Sequence, residues 1–161
     1  MATIKSYTDI SQSKKLAEIL PLESADMVLP FRHPKNDEYI PGYIVSRNYV
    51  EVYNEMMKLP AMEKEDVCKL IQPSWSLTAL LNLLPSEFTE KGKYSETTYE
   101  IDIRKYALTK DVDIYQIAYG NYKFHEDGNS SWKDMINTSQ KENLLDVAFE
   151  MICWLKENNK L

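Results

Sequence analysis

The stretch Thr98-Tyr99-Glu100-Ile101-Asp102-Ile103-Arg104, followed beyond Thr109-Lys110-Asp111 by the run Val112 to Tyr122, decides the fold. Tyr99, Ile101 and Ile103 alternate with Glu100, Asp102 and Arg104, the period of a strand with one apolar and one wet face. A three-residue turn at Thr109-Lys110-Asp111 sets Ile103 opposite Ile117 and Ile101 opposite Tyr119, so apolar meets apolar across an antiparallel hairpin. On the wet side the same register sets Glu100 opposite Gly120 and Asp102 opposite Ala118. Asp127-Gly128-Asn129 marks a second turn, and Ser131 to Ile136, with Trp132, is the third strand of a meander.

A meander of two or three strands is marginal in water and needs a lid. The final helix supplies one, with Leu144, Ala148, Met151 and Leu155 on one face, flanked by Leu145, Val147, Ile152 and Trp154. Ser139 with Glu142 predicts a capping box at its start.

Working outward, Thr8 to Ser11 offers capping side chains before Leu16, Ile19 and Leu20, an amphipathic helix that stops at Pro21. Ala25 to Phe31 reads as a strand, residues 32–42 as an exposed loop, and Tyr43 to Val45 as a further short strand. Arg47 to Lys58 satisfies both periods in part and is assigned to helix. Pro60 to Gln72 is a linker or a short extra helix. It leads into Trp75 to Leu84, a central helix with Ser74 or Ser76 as cap, the stripe Leu77, Leu80, Leu81 and Leu84, and Pro85 as stop. The fold class is α+β: an antiparallel meander of about three or more strands packed against the C-terminal helix, with additional N-terminal and central helices, in a single domain over 1–161.

Composition narrows function by exclusion. With 161 residues, 43% hydrophobic and 27% charged, the chain suits one globular domain. Nineteen basic and 25 acidic residues give a net charge of −6, which repels a polyanion, so no direct nucleic-acid binding is expected. Four glycines, Gly42, Gly92, Gly120 and Gly128, lie too far apart for a phosphate-cradling loop. Cys68 and Cys153 are isolated thiols, which fits a reducing compartment; with no secretion core and no apolar run of membrane length, a cytoplasmic chain without membrane contact is expected.

Three separated blocks carry a likeness. They are Tyr7-Thr8-Asp9-Ile10 with Gln12 to Pro21 and Glu23 to Met27, the block Pro73 to Pro85, and the closing Asp146-Val147-Ala148 with Glu150-Met151-Ile152 and Leu155-Lys156. Together these blocks, about 45 residues in all, resemble a group of small proteins encoded by gut Bacteroidales and their prophages or mobile elements. The resemblance implies that provenance and a helix, meander, helix layout. The group has no established activity, so no residue role is carried over. Residues 28–70 are the variable section, where the chain departs most from the group.

The chemistry-bearing residues form no catalytic, cofactor or metal constellation. His33 and His125 sit apart in polar loops without acidic or thiol neighbours at zinc-ligand spacing. Glu100, Asp102, Asp111 and Asp113 cluster on the hairpin and can in principle hold Mg2+ or Mn2+, but they also suit the water-facing side of a half-buried sheet. Tyr39, Tyr43, Tyr49 and Tyr53 beside Met56 have the composition of an adaptable contact surface, and mark the candidate partner-binding residues. The expected function is therefore a non-enzymatic accessory or protein-interaction protein with an unknown protein partner. The alternatives are a small metal-dependent enzyme that uses the hairpin carboxylates on a phosphorylated or sugar substrate, and an acidic decoy of a nucleic-acid-binding protein.

Overall fold

The computed structural model describes residues 5–30, 46–60 and 63–161. In chain order its elements are α1 (Ile10–Ile19), β1 (Met27–Pro30), α2 (Tyr49–Met56), α3 (Lys64–Leu70), β2 (Ile71–Ser74), α4 (Leu77–Leu83), β3 (Glu87–Lys91), β4 (Glu96–Ala107), β5 (Asp113–Phe124), β6 (Ser130–Asn137) and α5 (Leu144–Glu157). The class is α+β, with one antiparallel two-stranded sheet and one antiparallel four-stranded sheet. Contacts group the described chain into two compact units: Ser6–Leu80, and Lys5 with Leu81–Leu161. The chain passes from one to the other within α4.

In the Ser6–Leu80 unit, α1 starts at a capping box: the Asp9 carboxylate accepts from Gln12 N at 2.9 Å while the Gln12 side chain accepts from Asp9 N at 3.2 Å. β1 pairs with β2, Val28 opposite Pro73 and Met27 opposite Ser74. That pairing captures Ile71–Ser74 as strand, so the central helix starts at Leu77 and not at Trp75, and the Ser76 hydroxyl caps it by accepting from Ala79 N at 3.1 Å. The buried hydroxyls of Thr8, Ser13 and Ser74 satisfy one another, Thr8 Oγ1 lying 2.7 Å from Ser13 Oγ and 3.0 Å from Ser74 Oγ. Trp75 is fully buried and its indole N–H donates to Ser24 Oγ at 2.9 Å. α2 gives helix where helix is expected across 47–58, and α3 is the short extra helix that is one of the two readings of 60–72. The loop over 32–42 and the strand Tyr43 to Val45 lie outside the described residues.

In the other unit the strand order is β3-β4-β5-β6. Ile103 pairs with Ile117, Ile101 with Tyr119, Asp102 with Ala118 and Glu100 with Gly120, the register expected of the three-residue turn. α5 packs against β5. Lys160, just past the helix, pairs with Glu90 at 2.6 Å and lies 5.2 Å over the Phe88 ring. Phe88 and Glu90 sit opposite Tyr99 and Thr97, which places α5 on the face of Tyr99, Ile101, Ile117 and Tyr119. Ile117, Tyr119, Leu145, Val147, Ala148, Ile152 and Leu155 are fully buried there.

Three local expectations change. Ser139 does not cap α5; Lys141 exchanges backbone hydrogen bonds with Tyr115 at 2.7 and 3.1 Å, which keeps the chain extended until Asn143. Asn143 takes the cap, accepting from Leu145 N at 3.0 Å, and Ser139 donates to Glu150 instead. Ile103 lies on the covered face yet stays 46% exposed, so the lid does not reach the distal end of β4. β3 is an added strand whose only large apolar residue, Phe88, is hidden among Glu, Thr and Lys. Among the described residues no helix is long and apolar enough to cross a membrane.

Met151 is 1% exposed on α5. Met151→Asp should lower the unfolding free energy by more than about 3 kcal/mol, because a buried carboxylate there gains no partner. Chemical denaturation measures it, and an unshifted midpoint would contradict the burial.

Candidate functional site

The face of the sheet opposite α5 carries a charged hydrogen-bond network centred on Arg104. Arg104 on β4 donates to both oxygens of Asp134 on β6, at 2.9 and 2.6 Å, and through Nε to Asp102 at 2.6 Å. Such a bidentate guanidinium–carboxylate pair is among the stronger charge-assisted geometries. The Trp132 indole N–H also donates to Asp134, at 2.6 Å, and Asn137 adds a longer contact at 3.4 Å. The Arg104 hydrogen bond holds the Asp134 carboxyl at about 2, below its ordinary value, against the opposing effect of burial; the same bond raises the Arg104 guanidinium.

Gly120 makes this arrangement possible. A Cβ there would collide with the Lys133 backbone oxygen on β6 and come within 2.7 and 2.8 Å of the Trp132 indole, so only the bare backbone lets β6 and the ring approach β5 this closely. The register shifts at Tyr119/Gly120, where Tyr119 pairs with Ile136 but Gly120 with Asp134, leaving Met135 as the extra residue of a bulge. That shift brings Asp134 and Trp132 to the same side as Arg104. The Tyr122 ring meets Trp132 edge-on at 5.2 Å.

The hairpin carboxylates do not converge. Asp102 is engaged by Arg104, Asp113 pairs with Lys105 at 2.8 Å, Asp111 is exposed in the turn, and Glu100 lies across from Gly120 on one side and Glu87 on the other. Among the described residues no group of three or more His, Cys, Asp and Glu is placed to hold a metal ion. His125 sits in an exposed turn, 2.8 Å from Ser131 Oγ.

Of the candidate contact residues, Tyr39 and Tyr43 lie outside the described residues. Tyr49 is buried, its ring 6.2 Å from Tyr53, and burial pushes its hydroxyl up to about 12. Tyr53 and Met56 are half-buried. Met57 and Leu59, just past α2, are exposed, and the other large exposed residues include Tyr122 (56%) and Tyr106 (39%) on the open face of the sheet and Leu108 (65%) in the β4–β5 turn. Sequence reasoning placed Glu100, Asp102 and Arg104 on this face but missed Trp132 and Asp134, because a bulge changes which side a residue faces. The available signal was Gly120, a glycine inside a strand pattern, which marks a bulge or a close approach.

Comparison with models of known families, with curated proteins and with solved structures finds no match for this chain.

Two outcomes test the network. Gly120→Ala should cost about 1 to 3 kcal/mol through overpacking and should move the Trp132 indole N–H resonance; an unmoved resonance would show that the ring does not lie on Gly120. Asp134→Asn should destabilise the protein by about 1 kcal/mol at neutral pH. Because the folded carboxyl titrates below its unfolded value, that stabilisation is complete above the unfolded value and is lost as pH falls toward about 2. Urea midpoints of the two proteins should therefore converge between about pH 4 and pH 2.

Proposed function

We propose that this chain is a non-enzymatic accessory protein of prophage or mobile-element origin, and that it binds a protein with a basic segment across the open face of the β3–β6 sheet. The supporting observation is the composition of that face. Tyr122 is exposed beside Trp132 and Tyr106 two residues from Arg104, with Leu108 exposed in the turn beyond, and tyrosine, tryptophan and arginine are the residue types that dominate binding energy at protein interfaces. The Arg104 network holds the centre of the face rigid before any partner arrives, which reduces the entropy lost on binding.

Charge favours a basic partner. Glu87 and Glu100 stand directly opposite each other on adjacent strands and are both exposed. Like charges so placed repel, and a lysine or arginine from a partner relieves the repulsion. The enzymatic alternative loses support because Arg104 and Lys105 engage Asp102 and Asp113, and an engaged carboxylate is a poor metal ligand or proton carrier.

Affinity capture from the native host, with a photo-crosslinking residue placed at position 122 or 106, tests this reading. The expected result is one protein crosslinked from both positions, released by raised salt, and bound about tenfold more weakly by Tyr122→Ala with Leu108→Ala. A captured protein that the double variant retains at full affinity would overturn it, as would turnover in a metal-dependent substrate screen.

A further inference from the structure

The covered face of the same sheet ends in an open cleft of about 260 Å3, toward the β5–β6 turn, lined by Thr97, Tyr99, Asn121, Lys123, Lys133, Asp134 and Met135. Its geometry follows from register. Asn121 pairs with Lys133 and Lys123 with Ser131, so Lys123 and Lys133 are diagonal neighbours on one face. Continuing the β4–β5 register from Glu100 opposite Gly120 sets Tyr99 beside Asn121 and Thr97 beside Lys123.

Two ammonium groups thus share a small concave surface on a chain whose net charge is −6. Diagonal neighbours in an antiparallel pair lie about 7 to 8 Å apart, so their repulsion is not negligible. The nearby acids do not neutralise them. Glu90, across from Thr97, is paired with Lys160 at 2.6 Å, and Asp134, which lines the cleft, has both carboxylate oxygens engaged by Arg104. Neither lysine has an acidic partner among the described residues. The Tyr99 ring is buttressed by Phe88 at 5.4 Å and forms a fixed apolar wall, with the Met135 side chain, 38% exposed, supplied by the bulge.

From this juxtaposition we propose that the cleft binds a small phosphomonoester, its phosphoryl group between Lys123 and Lys133 with Asn121 and Thr97 as further donors, and its body against Tyr99 and Met135. A phosphomonoester carries about −1.5 to −2 charge at pH 7 and matches two lysines, where a carboxylate would leave one uncompensated. The volume lies below the 300 to 1,000 Å3 typical of drug-sized ligands, so the body is about one ring in size. A nucleic acid is disfavoured by the field of the whole chain. The partner face lies on the other side of the sheet, and Asp134 is the residue that both share.

Titration of the 15N-labelled protein with phenyl phosphate, and separately with benzoate, tests the proposal. Phenyl phosphate should give saturable shifts confined to the cleft residues and should bind more tightly than benzoate. Lys123→Gln with Lys133→Gln should weaken binding about tenfold or more at an unchanged melting temperature, since both side chains are exposed. Non-saturating shifts, shifts spread over the other surface lysines, unchanged affinity of the double variant, or tighter binding of a single-stranded oligonucleotide at the same lysines would each overturn it.

Discussion

The pairing of β4 with β5 is the constraint on which the larger sheet depends. Because strand side chains alternate with a period of two, displacing this pair by one residue would carry Ile101 and Ile103 to the wet side and bring Glu100, Asp102 and Arg104 under α5. The short turn at Thr109–Asp111 fixes the register, and the burial of Ile117 and Tyr119 beneath α5 enforces it. Every other placement in the sheet is counted from that pair: β3 by Phe88 opposite Tyr99, and β6 by Ile136 opposite Tyr119.

From this single register the two faces acquire opposite chemistry. One side has Glu87, Glu100, Asp102 and Asp134 around Arg104, with exposed aromatic and aliphatic residues toward both ends. The other is apolar beneath α5 and ends in a pair of lysines. The bulge at Met135 permits both, since it turns Asp134 and Trp132 to one face while leaving Lys133 on the other. A regular β6 would have left Arg104 without its bidentate partner.

The Ser6–Leu80 unit adds a buried set of small polar residues to an apolar core that includes Leu16, Val28, Trp75 and Leu80. Thr8, Ser13 and Ser74 form a closed set of buried hydroxyls, and Asp26 accepts from both the backbone and the hydroxyl of Ser76 where α4 begins. Among the described residues every buried side-chain polar atom is satisfied, so the burial of polar atoms specifies geometry without an orphaned donor. Tyr49, whose composition marks it as a surface ring, is drawn into this unit by the hydrogen bond from its backbone N–H to Ala25 O at 3.0 Å.

The α+β class, the β4–β5 register, the helical lid and the amphipathic α1 were legible in the residues alone, because alternation, short turns and helical periodicity act locally. The same local signals misplaced the α5 cap, since a backbone bridge between Tyr115 and Lys141 outcompeted Ser139, and they overlooked β3, where one Phe88 is too little pattern to see. The joining of Arg104 to Asp134 under Trp132, and of Lys123 to Lys133 beside Tyr99, was decided only by tertiary structure. These residues come from separate strands, and a one-residue bulge that leaves no periodic trace sets which of them share a face.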